Sequence, residues 1–198
     1  MSNHMERFMR NIERVNNLNT LFNIAKSTSK RPTIKEADIL RASVVFLHSA
    51  LEDYIRGILV DLLPVISDKK TLNGISLIGN EGRTERFSLG ALKDYENQTV
   101  EFLIKASVKE HMSKISFNNS TDLVSWLNKI NIDVSNFHQF DKVNNMIQRR
   151  HKIVHEADSN PALGRGNHYA TSINLNTVSA WLDAVENFVD FVEGQIPV

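Results

Sequence analysis

One long apolar stripe restricts the folds open to this chain more than any other feature of its sequence. Between residues 34 and 63, apolar side chains recur at spacings of three and four over about six helical turns, and neighbouring apolar residues widen the stripe. Thr33 and Glu36 match a capping box at the start of this segment, and Pro64 is expected to end it. The pattern predicts a central helix that packs on more than one side. Its main apolar members are Leu40, Val44, Leu47, Leu51, Tyr54, Ile58 and Leu62.

Shorter amphipathic patterns predict helices along most of the remaining chain. Ser120 and Asn176 are candidate N-caps near the starts of two of them. The predicted helices are residues 5–25, residues 89–112, residues 121–130, a segment from Phe137 or Phe140 to about 155, and residues 176–194.

Residues 67–87 lack a clear period and contain three glycines, so we predict a long loop there, with a short strand or turn at "GISLIG". The whole pattern predicts an all-α bundle of four to five core helices. An N-terminal helical arm is expected over residues 1–30, and a single core with an irregular insertion over residues 31–198.

Composition excludes several classes of protein. The chain has 198 residues, of which 41% are hydrophobic, and this suits one core. Lys plus Arg equals Asp plus Glu at 23 each, so anion binding requires a local patch. The absence of cysteine excludes disulfides and zinc–thiolate sites. No apolar run has the length of a membrane span and the N-terminus lacks a signal-peptide core, so we expect a cytoplasmic protein without membrane contact.

A local cationic patch occurs at residues 146–158, "MIQRRHKIVHEAD". His151 and His155 are four apart and share a helical face, whereas Arg150 and His155 are five apart and lie about 140° apart on a regular helix. Arg150 and His155 can converge on one phosphate if the helix distorts or ends near His155, or if a partner chain supplies the second copy. The alternative is a cationic face that only contacts solvent.

Two further patterns have weaker chemical interpretations. His48 and Glu52, also four apart, together with His151 and His155, have the spacing of metal ligands on facing helices, but the HExxH pattern is missing and we expect no metal site. "GRG" at residues 164–166 lacks the strand, helix and spacing of a phosphate-binding loop, so a surface loop is expected.

The motif and its context resemble the HEPN superfamily. "RHKIVH", Arg150 to His155, is similar to its motif of an arginine, a polar residue, three further residues and a histidine, late in an all-helical bundle. "RASVVFLHSALEDYIRGILVDLL", residues 41–63, resembles the early core helix of these proteins, which carries an acidic residue midway. The resemblance covers residues 35–195 and is nearest to the RiboL-PSP type of HEPN domain.

This resemblance implies a HEPN-like helical bundle that acts as an endoribonuclease without metal or cofactor. RNA supplies its own 2′-OH nucleophile, so cleavage to a 2′,3′-cyclic phosphate needs proton transfer and stabilisation of a charged phosphorane. The resemblance assigns proton transfer to His155 and phosphate binding to Arg150. His151 matches the polar position of the motif, and Glu52 is a candidate to hold Arg150 or an imidazole.

The implied partners are RNA, a second copy of the chain in a homodimer, and a cognate antitoxin or another protein. Arg149, Lys152 and Arg165 are candidate additional contacts to RNA phosphates. Many relatives are toxins or phage-defence effectors. The alternative function is a catalytically inactive HEPN module that binds RNA, a nucleotide or a protein partner.

Overall fold

A computed structural model describes residues 2–26, 32–79, 89–159 and 170–196 of the chain. Within these ranges the protein is all-α, as predicted, and its β-structure is one isolated antiparallel bridge between Ser159 and Ala170. The elements are α1 (Asn3–Ala25), α2 (Ile34–Ile66), α3 (Lys69–Asn73), a short 3₁₀ helix (Leu89–Tyr95), α4 (Val100–Lys114), α5 (Ser120–Asn128), α6 (Phe140–His155) and α7 (Leu175–Glu193).

Helix α2 is the central element, since α1, α4, α6 and α7 all pack against it. The predicted capping box is confirmed: the Thr33 hydroxyl accepts from the Glu36 N–H, and the Glu36 carboxylate accepts from the Thr33 N–H. The predicted end at Pro64 is wrong, because α2 continues to Ile66. Proline removes only its own donor, and the N–H and hydroxyl of Ser67 both bond to the Leu63 carbonyl to close the last turn.

Helix α1 lies along α2 and contributes to the same hydrophobic core. Its buried apolar residues follow the predicted stripe, and the Phe8 ring meets the Tyr54 ring edge-on with centroids 5.8 Å apart. An ion pair of 2.6 Å between Arg7 and Asp53 joins the two helices outside this contact. Burial of one α1 face against α2 therefore accounts for the helix over its whole length.

The region after α2 differs from the prediction. The short helix α3 begins behind Asp68, whose side chain accepts from the Thr71 N–H, where only a loop was predicted. Five residues are too few to give a helical period in the sequence. "GISLIG" forms turns and irregular backbone, with Gly79 at φ +79, a conformation that favours glycine. Residues 80–88 lie outside the described part.

Several helices in the second half of the chain begin at other residues than predicted, each behind a side chain that caps its first turn. The helix predicted over residues 89–112 is divided, because Thr99 caps a new start at Val100. The N-caps are Asn119 for α5 and Asn174 for α7, not Ser120 and Asn176; each asparagine accepts from the N–H three residues later.

No helix in the described part of the chain has both the length and the apolarity needed to cross a lipid bilayer.

Candidate functional site

Helix α6 separates an apolar face from a cationic one. Val143, Met146 and Ile147 are buried in the core, whereas His151, Lys152 and His155 are exposed on the last turns. The helix ends at His155 because Ala157 and Asp158 adopt left-handed backbone conformations, with φ of 48° and 55°. The N–H groups of Glu156 and Asp158 both bond to the Lys152 carbonyl and close this end. The final imidazole therefore lies where a helix stops and a turn begins.

The two motif histidines are neighbours, as their spacing predicts. The rings of His151 and His155 have centroids 4.6 Å apart with an angle of 40° between their planes. Both side chains are exposed, so both imidazoles can reach a ligand from solvent. Two acid–base groups at this distance can divide proton removal and proton donation between them.

Arg150 is hydrogen-bonded to Asn118, and not to the motif histidines. Its Nη1 donates to Oδ1 of Asn118, at 3.0 Å, in the segment between α4 and α5. Its Nε is buried and has no hydrogen-bond partner among the described residues. Within the part of the chain that the structure describes, Arg150 and His155 make no hydrogen bond to each other and Arg150 has no carboxylate partner. The guanidinium charge is thus held in place by a neutral amide.

Arg149 has the opposite environment, although it is the adjacent residue. Its Nη2 donates to Oδ2 of Asp158 at 2.8 Å and to the Thr171 carbonyl at 2.7 Å. Arg41 donates to the same two acceptors at 2.7 and 3.0 Å. Burial lowers the pKa of the Arg149 guanidinium from its ordinary value, and the Asp158 carboxylate opposes that shift. This geometry argues against the predicted phosphate contact, because the Arg149 charge is already matched inside the protein.

Glu52 lies on the α2 face that meets the segment after α4. Its Oε1 accepts from the Phe117 N–H at 3.3 Å and from Arg56 at 2.9 Å, so its partners differ from the proposed Arg150. Its Oε2 is 3.8 Å from an imidazole nitrogen, Nδ1 of His48. Glu52 is therefore beside an imidazole, but this one belongs to α2 and not to the motif.

His48 is buried, with 1% of its surface exposed. Its Nε2 is 3.0 Å from the Phe117 carbonyl, and because a carbonyl only accepts, Nε2 carries the hydrogen. Burial lowers the pKa of His48, and the positive charge of Arg150 acts in the same direction, while the Phe117 hydrogen bond and Glu52 oppose it. His48 is therefore a neutral structural donor close to Arg150.

The remaining predicted residues contribute less to the described geometry. Lys152 is exposed, and Arg165, with the "GRG" segment, lies outside the described residues. Among the described residues, no three histidine, aspartate or glutamate side chains are grouped as they would be around a metal ion. His48 is buried and Glu52 is half-buried, whereas His151 and His155 are exposed.

A shallow groove of about 480 Å³ lies beside α5 and the start of α6. Its lining is uncharged and carries hydroxyl and amide groups beside apolar ones. The lining residues are Ser120, Thr121, Val124, Ser125, Asn128 and Phe140.

The model of the RiboL-PSP-HEPN family matches residues 9–197. The chain belongs to this family. No curated protein and no solved structure matches the chain. Membership in the family supports a role in RNA cleavage or in a nucleotide-related process. The matched residues include α1 from residue 9 onward, which the resemblance seen in the sequence did not cover.

Sequence reasoning missed the partners that fix the motif. Asn118 stands in a loop without a recognisable pattern, and Asp158 belongs to a turn beyond the helix. One pattern was available: His48, Glu52 and Arg56 recur every four residues on α2, beside its apolar stripe. Polar residues that share one helical face in a buried helix indicate a polar segment packed against it.

Proposed function

We propose that the protein is a metal-independent endoribonuclease that cleaves RNA by attack of the 2′-OH on the adjacent phosphate. The observation that carries this proposal is the contrast between Arg149 and Arg150. A buried carboxylate occupies the first guanidinium, whereas a neutral amide holds the second and leaves its charge for an anion. His151 and His155 provide exposed imidazoles on the same helix. A guanidinium without a carboxylate partner among the described residues, together with exposed imidazoles, matches the needs of phosphodiester transfer.

In this mechanism His155 transfers a proton to or from the reacting oxygens. A general base removes the 2′-OH proton, and the 2′-oxygen attacks phosphorus. The bond from phosphorus to the 5′-oxygen breaks as a general acid protonates that 5′-oxygen; His155 performs one of these two proton transfers. Arg150 holds two phosphate oxygens in a fork while negative charge grows on them. The products are a 2′,3′-cyclic phosphate and a 5′-hydroxyl. His151 orients the site, and Lys152 and Arg165 bind flanking phosphates.

We further propose that two copies of the chain assemble the site. Helical geometry places Arg150 and His155 about 140° apart, and Arg150 is held by Asn118, so we propose that the two groups of one site come from different copies. A two-fold dimer with facing α6 helices brings Arg150 of one copy to His155 of the other. Cleavage of the RNA of a phage or of the host is consistent with the toxin and defence roles that we expected from the resemblance.

The test compares wild type with His155→Ala on end-labelled RNA in the presence of EDTA. Loss of a proton-transfer group lowers the rate by about 10²- to 10⁴-fold, so the variant should cut very slowly while its melting curve stays unchanged. Arg150→Lys should fail as well, because an ammonium lacks the fork of donors. Lys142→Ala, a change of an exposed cation on the same helix, is the control and should cut normally.

Mixing the two inactive variants tests the shared site. Equal amounts of His155→Ala and Arg150→Lys should recover about a quarter of wild-type activity, because half of the dimers are mixed and each mixed dimer holds one complete site. No recovery would place both groups in one chain. If wild type itself cuts none of a varied set of RNAs, the chain is instead a binding module of the same family.

A further inference from the structure

A series of hydrogen bonds connects α2, through the segment after α4, to Arg150. Phe117 is the centre of it. The Phe117 N–H donates to Oε1 of Glu52 at 3.3 Å, and the Phe117 carbonyl accepts from Nε2 of His48 at 3.0 Å. The Phe117 side chain is buried in the core as well. Backbone and side chain are thus both fixed at the residue immediately before Asn118.

Arg56, one helical turn beyond Glu52 on α2, holds the preceding part of the same segment. Its Nε donates to the Met112 carbonyl at 3.0 Å, and its Nη2 donates to the Ile115 carbonyl at 2.8 Å and to Glu52 at 2.9 Å. These two carbonyls lie at the C-terminal end of α4, where a cation is favourable. The α2 side chains at intervals of four therefore hold the whole segment from Met112 to Phe117.

Asn118 connects this segment to Arg150. Its Nδ2 donates to the Ser116 hydroxyl at 2.7 Å, which sets the orientation of the amide so that Oδ1 faces Arg150 at 3.0 Å. An amide oxygen accepts a hydrogen bond without neutralising the guanidinium. A carboxylate at this position would compete with a phosphate for the same charge.

We propose that Asn118 is a positioning residue for Arg150, and that His48 and Glu52 hold Asn118 in place through Phe117. The inference rests on the proposed ribonuclease function for its effect on catalysis, while the order of the Arg150 side chain can be measured without any cleavage. Asn118 does not touch the reacting atoms in this proposal. It orients the Arg150 guanidinium and, because its amide is uncharged, does not neutralise the positive charge.

The experiment uses the full chain and three variants. Asn118→Leu has nearly the same size but offers no acceptor, so kcat should fall by about 10- to 100-fold, the effect of a small misplacement of a catalytic group, while KM changes little. Asn118→Asp restores the acceptor and keeps the guanidinium in place, so kcat should recover while KM for RNA rises. Asn145→Leu, an exposed asparagine on α6, is the matched control and should leave both constants unchanged.

Nitrogen-15 NMR of the Arg150 side chain separates this proposal from the proposed function. The Arg150 guanidinium signals, identified by their loss in Arg150→Lys, should show slow rotation in wild type and in Asn118→Asp, and fast rotation in Asn118→Leu. If wild type cuts no RNA, the ribonuclease function fails and the NMR result still decides whether Asn118 orders Arg150. Unchanged signals in Asn118→Leu, or normal kcat in an active Asn118→Leu enzyme, would overturn the proposal. Asn118→Ser, whose hydroxyl is too short to reach Arg150, replaces the leucine variant if that protein does not fold.

Discussion

Replacing Asp158 by asparagine tests whether one buried carboxylate holds the end of α6 and the chain that follows it. Asparagine has almost the same shape and tolerates the left-handed backbone at φ 55°, so charge is the main difference. Oδ2 of Asp158 accepts from Arg41 and Arg149 at 2.7 and 2.8 Å. Asp158 is 1% exposed, and the two arginine side chains are 12% and 13% exposed. The substitution therefore leaves two largely buried cations without their shared anion.

The expected loss of stability follows from this burial. An exposed ion pair contributes at most about 1 kcal/mol, whereas removal of one partner from a buried pair costs about 3–5 kcal/mol, since the remaining charge stays desolvated. A typical domain has a free energy of unfolding of roughly 5–15 kcal/mol. We therefore expect Asp158→Asn to lose about 3–5 kcal/mol and to melt about 6–20 °C lower.

Urea unfolding monitored by circular dichroism measures this loss, and Asp38→Asn provides a matched control. Asp38 pairs with the same Arg41 at 3.0 Å, but its side chain is 61% exposed, so its removal should cost less than about 1 kcal/mol. Adding Arg149→Met to Asp158→Asn should restore part of the stability, because one uncompensated charge is gone. If Asp158→Asn is no less stable than Asp38→Asn, the buried carboxylate does not stabilise the end of α6.

Two further predictions concern stability. Ala157→Gly should stabilise the protein by about 1 kcal/mol, because glycine adopts the left-handed φ of 48° without the strain of a β-carbon; urea unfolding measures it, and a loss of stability would show that the turn tolerates alanine. His48 has a folded-state pKa below its ordinary value of 6.5, chiefly through burial, so as pH falls through about 6.5 the unfolded chain takes up a proton that the folded chain does not, and the free energy of unfolding decreases. Urea unfolding at about pH 7.5 and about pH 5.5 should therefore show a smaller decrease for His48→Gln than for wild type, and equal decreases would exclude His48 as a contributor.

The sequence predicts α2, α6 and α7 well because each buries one continuous face, and such burial produces a regular period of apolar residues. The capping box at Thr33 is also local, since its two partners are three residues apart. Elements with little buried surface leave a weaker pattern. The short α3 and the 3₁₀ helix at Leu89–Tyr95 were therefore missed or merged with a neighbour.

The candidate site shows the same limit at the level of single side chains. Arg149 and Arg150 are identical and adjacent, and only the partners around them give one a structural role and leave the other available. Those partners are distant in sequence: Arg150 meets Asn118 across 32 residues, and Arg41 meets Asp158 across 117. Helical periodicity relates residues three or four apart, so it carries no information on contacts across such separations.

The bridge between Ser159 and Ala170 affects which parts of this chain can change in evolution without displacing the motif. The bridge and the bond from the Thr171 N–H to the Asp158 carbonyl bring the two ends of segment 160–169 together directly after α6. The entropic cost of bringing two positions of a chain together grows only slowly with the number of residues between them, so the bridge can still form when that number changes. His155 and the buried carboxylate lie before the bridge and keep their positions when that happens. The number of residues between Ser159 and Ala170 can therefore change in evolution independently of the helix that carries the motif.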